Sequence, residues 1–241
     1  MKILSLLALA LIGFVSYTTA QSVIVTDRKV TYKRPKPISE YKKTFVVNYP
    51  KVKAATAPLS RKIEKTLSYE RVMDINIQEQ IKDSQWLYEA TYKVKYNRNG
   101  ALAVDLTIDG SAAYPDGSTK TVVVDTTTGE RVTPEMSFTD LDSLVAMVNK
   151  AQKKEIDKAI ADIKKNPEAG ESDPADLFSN ADFKTEDLDW FAISNSGVTF
   201  KYDYEFPHAI QALQPNGEFF FTWKQLKPYI KPGSLLSRIA R

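Results

Sequence analysis

Cysteine is absent from the chain of 241 residues. This excludes disulfides, a thiolate nucleophile and cysteine-ligated zinc or iron–sulfur centres. Histidine is nearly as scarce, because His208 is the only one. A zinc hydrolase uses two or three histidine ligands, so the sequence argues against that class, and nothing in it calls for a cofactor. We expect packing and other non-covalent contacts alone to hold the fold together.

Glycine is also sparse, at nine residues, and no glycine-rich phosphate-binding loop is present. The chain lacks the G-x-S-x-G motif that would accompany a serine hydrolase. A large excess of one charge is missing too, since the formal net charge is +3. Composition therefore gives no argument for nucleic acid as a partner.

The first twenty residues have the layout of a secretory signal peptide. Lys2 supplies a positive charge, an apolar run extends from Ile3 to Val15, and small residues precede a cleavage site after Ala20. The run is shorter than the roughly 20 residues of a membrane-spanning helix. We expect export, a periplasmic or secreted location, and a mature chain from Gln21 without a transmembrane segment. Retention of the segment as an uncleaved anchor is the alternative.

Residues 21–43 form a basic polar stretch. We interpret it as a solvated leader that contains at most one edge strand, at Ser22–Thr26. The alternative is an electrostatic contact with an anionic wall polymer or with lipid headgroups. Its basic residues are Arg28, Lys29, Lys33, Arg34, Lys36, Lys42 and Lys43.

Strand and helix periodicities alternate through the rest of the chain. Apolar alternation predicts strands at 43–49, 86–96, 102–108, 119–125, 190–194, 198–206 and 219–221. Helical spacing predicts short helices at 56–67 and 222–230, and one long helix from Thr139 to about Lys165. Residues 68–83 fit neither period. The predicted fold is α+β, with a mainly antiparallel sheet, one long helix and two short helices.

Two local expectations depend on single residues. In the strand from Trp86 to Tyr96 the even positions are apolar or aromatic, so we expect them to face the core. In the turn at residues 195–197, we expect Gly197 to adopt a positive φ.

Residues 166–189 are rich in aspartate and glutamate. Clustered carboxylates suit Ca²⁺, but the D-x-[DN]-x-[DN]-G pattern of a calcium loop is missing. We interpret the segment as a solvated connector that Leu177 and Phe178 pin to the domain.

Several motifs resemble a known family. They are Tyr49-Pro50, residues 92–97, Asn99-Gly100, residues 125–129, residues 191–193, residues 197–200, Tyr204-Glu205 and Pro207. Together they resemble the extracytoplasmic region shared by the peptidoglycan deacetylase PdaC and the lysozyme-sensing anti-sigma factor RsiV, over about residues 45–235. By this resemblance, residues 44–140 form a PdaC-like N-terminal half, residues 141–235 an RsiV-like C-terminal half of the same or a separate unit, and residues 236–241 a tail.

The resemblance implies a domain of the cell envelope that contacts peptidoglycan or a protein that acts on it, such as lysozyme. It does not imply deacetylation, because in the deacetylase that chemistry belongs to a separate metal-dependent domain. We therefore expect a binding module rather than an enzyme. The candidate ligand contacts are Tyr202, Tyr204, Glu205 and His208, since loops at strand ends often form sites and aromatic faces stack on sugars.

Two other classes remain open. A carboxylate-dependent glycan hydrolase would need two carboxylates at catalytic distance, and the candidates are Glu89, Asp105, Asp203 and Glu205. A structural protein of envelope assembly would act through a sheet edge or through the basic leader.

Overall fold

The computed structural model describes residues 23–38, 41–111, 115–165 and 173–240. It confirms an α+β fold, built on one five-stranded and one three-stranded sheet. The predicted signal peptide lies outside the described residues. Within them, no helix is both long and apolar enough to span a bilayer.

The strands and helices follow one another in a simple order. In the first half they are β1 (Ile24–Lys33), β2 (Thr44–Lys53), α1 (Ala57–Thr66), α2 (Tyr69–Val72), α3 (Ile77–Lys82), β3 (Leu87–Arg98), β4 (Ala101–Ser111) and β5 (Pro115–Asp125). In the second half they are α4 (Pro134–Ser137), α5 (Leu141–Ile163), β6 (Phe191–Ile193), β7 (Gly197–Lys201), β8 (Glu218–Thr222), α6 (Trp223–Leu226) and α7 (Leu235–Ile239). Short 3₁₀ helices span Pro174–Phe178, Thr185–Asp189 and His208–Leu213.

The larger sheet has the strand order β1-β2-β3-β4-β5. Neighbouring strands are antiparallel except β2 and β3, which are parallel and are joined by a crossover through α1, α2 and α3. Thr56 caps α1 by accepting a hydrogen bond from the Leu59 amide. Ile63 and Leu67, four residues apart, are buried against one face of the sheet with Leu106.

The smaller sheet, β6-β7-β8, is antiparallel and packs with α5 around a second core. This core includes Phe200 and Phe219 from the smaller sheet and Ala101, Ala103 and Val123 from the larger one. Residues 101–104 of β4 are consequently buried on both faces of the sheet. The two halves of the chain share this core.

Two segments are more ordered than expected. Residues 24–33 of the basic stretch form the edge strand β1, longer than the strand expected at Ser22–Thr26; it pairs with β2 over ten residues, and its Val25, Val30 and Tyr32 are partly buried. The predicted tail begins inside α7, whose Leu235 and Ile239 are buried. With α2, α3, α4 and α7, the described chain has more than the two expected short helices.

In β3 the expected alternation is interrupted by two register shifts, between Leu87 and Glu89 and between Val94 and Tyr96. A bulge of this kind moves the following side chains to the other face. Leu87 and Ala90 are consequently buried in the same core, and Tyr96 is buried in the other one. Val94, which was expected to face the core, is 37% exposed.

Three further details differ from the prediction. The strand expected at 198–206 ends at Lys201, before Glu205 adopts a left-handed φ of 52°. Gly197 is not among the residues with positive φ. Asp140, rather than Thr139, caps α5 by accepting a hydrogen bond from the Ser143 amide at 3.0 Å.

Asp125, at the end of β5, contacts both the following turn and the C-terminal helix α7 through its side chain. Its Oδ1 accepts hydrogen bonds from the amide and hydroxyl of Thr127 at 2.8 and 2.5 Å, and its Oδ2 pairs with Arg238 at 2.9 Å. We expect Asp125→Ala to lower the free energy of unfolding by about 2 kcal/mol in urea titration. Arg238→Ala, which removes only the partly exposed ion pair, should cost about 0–1 kcal/mol. Equal losses would contradict the role of the turn.

Candidate binding cleft

A cleft of about 690 Å³ lies where the edge of β5 meets the C-terminal half. Its walls come from β5, from the segments that contain the 3₁₀ helices at 174–178 and 185–189, and from the irregular segment 202–207 that follows β7. Three of the predicted contact residues line it: Tyr202, Tyr204 and Glu205.

The segment 202–207 is held in place by hydrogen bonds rather than by a strand partner. The Tyr202 amide donates to the Gly217 carbonyl at 2.8 Å. Asp203 Oδ1 accepts from the Glu205 amide at 2.9 Å and from Gln214 Nε2 at 3.1 Å. Glu205, at the end of this short loop, has a left-handed backbone conformation with a φ of 52°. Glu205 is exposed and forms part of the cleft wall.

Tyr202 is the partly exposed aromatic residue of this segment. Its ring contacts Phe183 and Tyr204, with centroids 6.0 and 5.1 Å away, and its hydroxyl donates to the Asn180 carbonyl at 3.4 Å. These contacts fix the ring orientation. Tyr202 is therefore a preorganised aromatic surface at the cleft.

Tyr204, unlike Tyr202, is buried, with only 7% of its surface exposed. Its ring packs edge-to-face on Phe178 with centroids 5.4 Å apart, and its hydroxyl donates to Glu155 Oε2 at 2.8 Å. Burial and this hydrogen bond raise the pKa of Tyr204 above its ordinary value. Its ring supports the cleft from within the fold, which leaves ligand contact by this segment to Tyr202 and Glu205.

His208 begins the 3₁₀ helix His208–Leu213, just after the segment 202–207. Its side chain lies outside the part of the chain that the structure describes. The expectation that it contacts a ligand stays a prediction.

Sequence reasoning missed Trp190 as a cleft residue. It lines the cleft together with Lys201, whose ammonium lies 5.9 Å from the Trp190 ring centroid. Below them, Arg131 Nη2 pairs with Asp189 Oδ2 at 2.7 Å.

The acidic segment was expected to be a solvated connector that Leu177 and Phe178 pin to the domain; its residues 166–172 lie outside the described part of the chain. Phe178 is buried as expected, and Phe183 and Leu188 are buried as well, so four of the carboxylates in residues 173–189 line the cleft.

The cleft is acidic although the chain as a whole is slightly basic. Its ionisable lining comprises six carboxylates and three cations: Asp176, Glu186, Asp187, Asp189, Asp203 and Glu205, against Lys120, Arg131 and Lys201. Burial is the main cause that raises the pKa of Tyr202, and the negative field of Asp187, Glu205, Asp182 and Asp203 adds to it. A cationic ligand suits this field better than an anionic one.

Only two of the four carboxylates considered for hydrolysis lie in the cleft. Asp203 and Glu205 line the cleft, whereas Glu89 and Asp105 lie in β3 and β4 and do not line it. Asp105 is engaged by Thr121 at 2.6 Å and by Lys95 at 3.6 Å. Among the described residues, no group of three or more His, Asp or Glu side chains is arranged to hold a metal ion.

This α+β architecture is the fold of proteins of the DUF3298 family, which is the domain family found in PdaC and RsiV. The fold therefore agrees with the resemblance in the sequence. Neither a protein-family model nor a curated protein sequence matches the chain.

Two crystal structures illustrate the likeness. A DUF3298 family protein from Pseudomonas aeruginosa aligns over 88% of this chain and 96% of its own length, with a TM-score of 0.54 and 14% identity. A member of the same family from Bacteroides fragilis aligns over 92% and 98%, with a TM-score of 0.57 and 15% identity. At such identities the likeness is one of fold.

Proposed function

We propose that the chain is an exported binding module of the cell envelope, and that its acidic cleft recognises a cationic wall-active protein of the lysozyme kind. The observation that carries this proposal is the charge of the cleft, with six carboxylates and three cations around an ordered Tyr202. The predicted signal peptide and the resemblance to RsiV support the location and the class of partner.

Charge complementarity raises the association rate of such a site with its partner and its selectivity for that partner. An enzyme that acts on an anionic wall commonly has a positive surface, and an acidic cleft attracts that surface over a distance of about 10 Å at moderate salt. Tyr202 provides the aromatic anchor that often dominates binding energy at protein interfaces. Asp203 and Glu205, two residues apart in the sequence, are both exposed in the cleft wall.

Peptidoglycan itself is the second candidate. Trp190 and Tyr202 are both partly exposed in the cleft, and aromatic rings stack on sugar rings. The carboxylates of wall peptides would be repelled by the same acidic lining, so this candidate takes second place.

The test is a titration of chicken-type lysozyme into the chain from Gln21 onward, followed by calorimetry. We expect Tyr202→Ala and Glu205→Gln each to weaken binding by about 10-fold or more. Glu89→Gln is the matched control for charge, because Glu89 is also an exposed glutamate but lies away from the cleft. Tyr204→Phe, which removes only a hydroxyl that is bonded to Glu155, should leave the affinity unchanged.

Co-sedimentation with insoluble peptidoglycan separates the two candidates. The glycan would be the ligand, and not a lysozyme-like protein, if three results coincide. The chain would sediment with peptidoglycan at high salt, Tyr202→Ala would abolish this sedimentation, and lysozyme would not bind. Failure to bind either one would contradict the proposed function of the cleft.

A further inference from the structure

The end of β1 and the connection to β2 present exposed cations around one exposed isoleucine. Lys33, Lys36, Lys42 and Lys43 are exposed, and Ile38 is 47% exposed. None of these four lysines forms an ion pair with any other described residue. We call these five residues the basic platform.

The platform belongs to the most basic part of the molecule. Residues 24–53 contain nine lysines and arginines but only two acidic residues, which gives a net charge of +7. The remainder of the chain has a net charge of −4. β1 and β5 are the opposite edges of the five-stranded sheet. Four strand spacings, roughly 19 Å, therefore separate β1 from β5, the edge strand that borders the acidic cleft.

Two buried side chains hold the backbone of the platform in place. Arg34, 1% exposed, donates to the Lys42 carbonyl at 2.5 Å. Gln85, 2% exposed, donates to the Lys36 carbonyl at 2.8 Å and accepts from the Ile38 amide at 2.9 Å. These bonds hold the backbone of Lys36, Ile38 and Lys42, so the ordering entropy that binding would cost lies mainly in the exposed lysine side chains.

Protection of a sheet edge explains only part of this charge. Lysines on an edge strand prevent pairing with another chain, which accounts for Lys29 and Lys33 in β1. Lys36, Lys42 and Lys43 lie outside both strands, where there is no strand edge to protect. Neither does edge protection explain an exposed isoleucine among them.

We propose that the basic platform binds the surface of an anionic lipid bilayer. Lysines near such a surface are attracted to acidic headgroups, and an isoleucine between them can enter the apolar boundary beneath. A soluble polyanion would use the lysines alone and gain nothing from Ile38. In this orientation β1 lies next to the membrane, and the acidic cleft lies at β5, the opposite edge of the sheet.

Vesicle co-sedimentation with the chain from Gln21 onward tests the proposal. Wild type should bind vesicles of phosphatidylcholine mixed with phosphatidylglycerol, and not vesicles of phosphatidylcholine alone. The variant Lys33→Gln/Lys36→Gln/Lys42→Gln/Lys43→Gln should bind at least about 10-fold more weakly. High salt should also release the wild-type protein.

A matched variant removes four positive charges elsewhere. Lys150→Gln/Lys153→Gln/Lys154→Gln/Lys158→Gln changes exposed lysines on α5 and should retain binding. Thermal unfolding of both variants should resemble that of wild type, because all eight lysines are exposed. Equal loss of vesicle binding in both variants would reduce the effect to net charge and overturn the proposal.

Ile38→Ser distinguishes a membrane from a polyanion. It should weaken binding to the acidic vesicles about 3-fold or more and leave binding to soluble polyphosphate unchanged. Binding to polyphosphate as tight as to vesicles, with no effect of Ile38→Ser on either, would overturn the membrane assignment in favour of an anionic polymer.

Discussion

Replacing Arg34 with methionine should lower the free energy of unfolding by about 3–5 kcal/mol, one of the largest effects of any single substitution in this chain. The buried guanidinium donates to three backbone carbonyls: Gln80 at 3.1 Å, Lys42 at 2.5 Å and Leu87 at 2.7 Å. It also lies 4.8 Å from the ring centroid of Phe45. Methionine can retain the packing on Phe45, but it leaves all three carbonyls without this donor.

The size of the effect follows from two opposing terms. Burial lowers the pKa of Arg34, which shows that the charged group is held there at some cost, and methionine removes that cost. Each buried carbonyl left without a donor costs about 1–3 kcal/mol, and the losses at Gln80 and Leu87, with a smaller one at the part-buried Lys42 carbonyl, outweigh the recovered desolvation. Arg34 therefore joins β1 and its connection to α3 and β3.

Urea denaturation measures this effect. Arg28→Met is the matched control, because Arg28 lies on the same strand but is exposed, and its replacement should change the free energy of unfolding by less than about 0.5 kcal/mol. Arg34→Lys should fall in between, since one ammonium cannot reach all three carbonyls. Similar losses for Arg34→Met and Arg28→Met would refute the assignment.

Gly197→Ala should destabilise the smaller sheet by about 3 kcal/mol or more, because strands β7 and β8 pack too closely for a side chain. A Cβ at Gly197 would lie 2.0 Å from the Phe221 carbonyl oxygen and 2.9 Å from the Thr222 Cα. Both atoms belong to the backbone, so relief requires the two strands to separate. Tyr202 directly follows β7, so the geometry of the cleft should change as well.

Gly233→Ala is the informative comparison. Gly233 has a left-handed φ of 79°, but apart from its own chain neighbours no atom of the described residues lies within 4 Å of the position that a Cβ would take there. Alanine at this position therefore meets backbone strain of about 1–2 kcal/mol and no clash. We expect thermal unfolding to show a larger loss for Gly197→Ala than for Gly233→Ala. A larger loss at Gly233 would mean that backbone conformation, not close packing, governs Gly197.

Local patterns predicted much of the fold. A capping box of Thr222 and Gln225 starts α6 where the helix at 222–230 was predicted to begin, and the apolar spacing along residues 141–163 forms the one long helix. These elements follow from contacts between residues a few positions apart, which a sequence displays directly. The predicted end of β2 at Tyr49 was wrong, since the strand continues through Pro50 to Lys53.

The candidate site was only partly predictable. Tyr202 and Glu205 were identified because they lie near the end of a strongly alternating predicted strand, and both line the cleft. The same alternation could not distinguish Tyr202 from Tyr204, since only the packing on Phe178 buries the latter. Trp190 gave no signal of its own, because its neighbours in the cleft come from distant segments.

By itself, the sequence determined the α+β class, the hydrophobic faces of its main elements and the absence of thiol chemistry, because composition and short-range periodicity carry that information. Tertiary structure alone decided that the edge strand extends to Lys33, that exposed lysines surround Ile38 beyond it and that carboxylates of residues 176–189 line an aromatic cleft. Each of these depends on partners far apart in the chain, such as Arg34 with Leu87 or Tyr204 with Glu155. Such pairings arise when the two halves bury one shared core, and no local pattern records them.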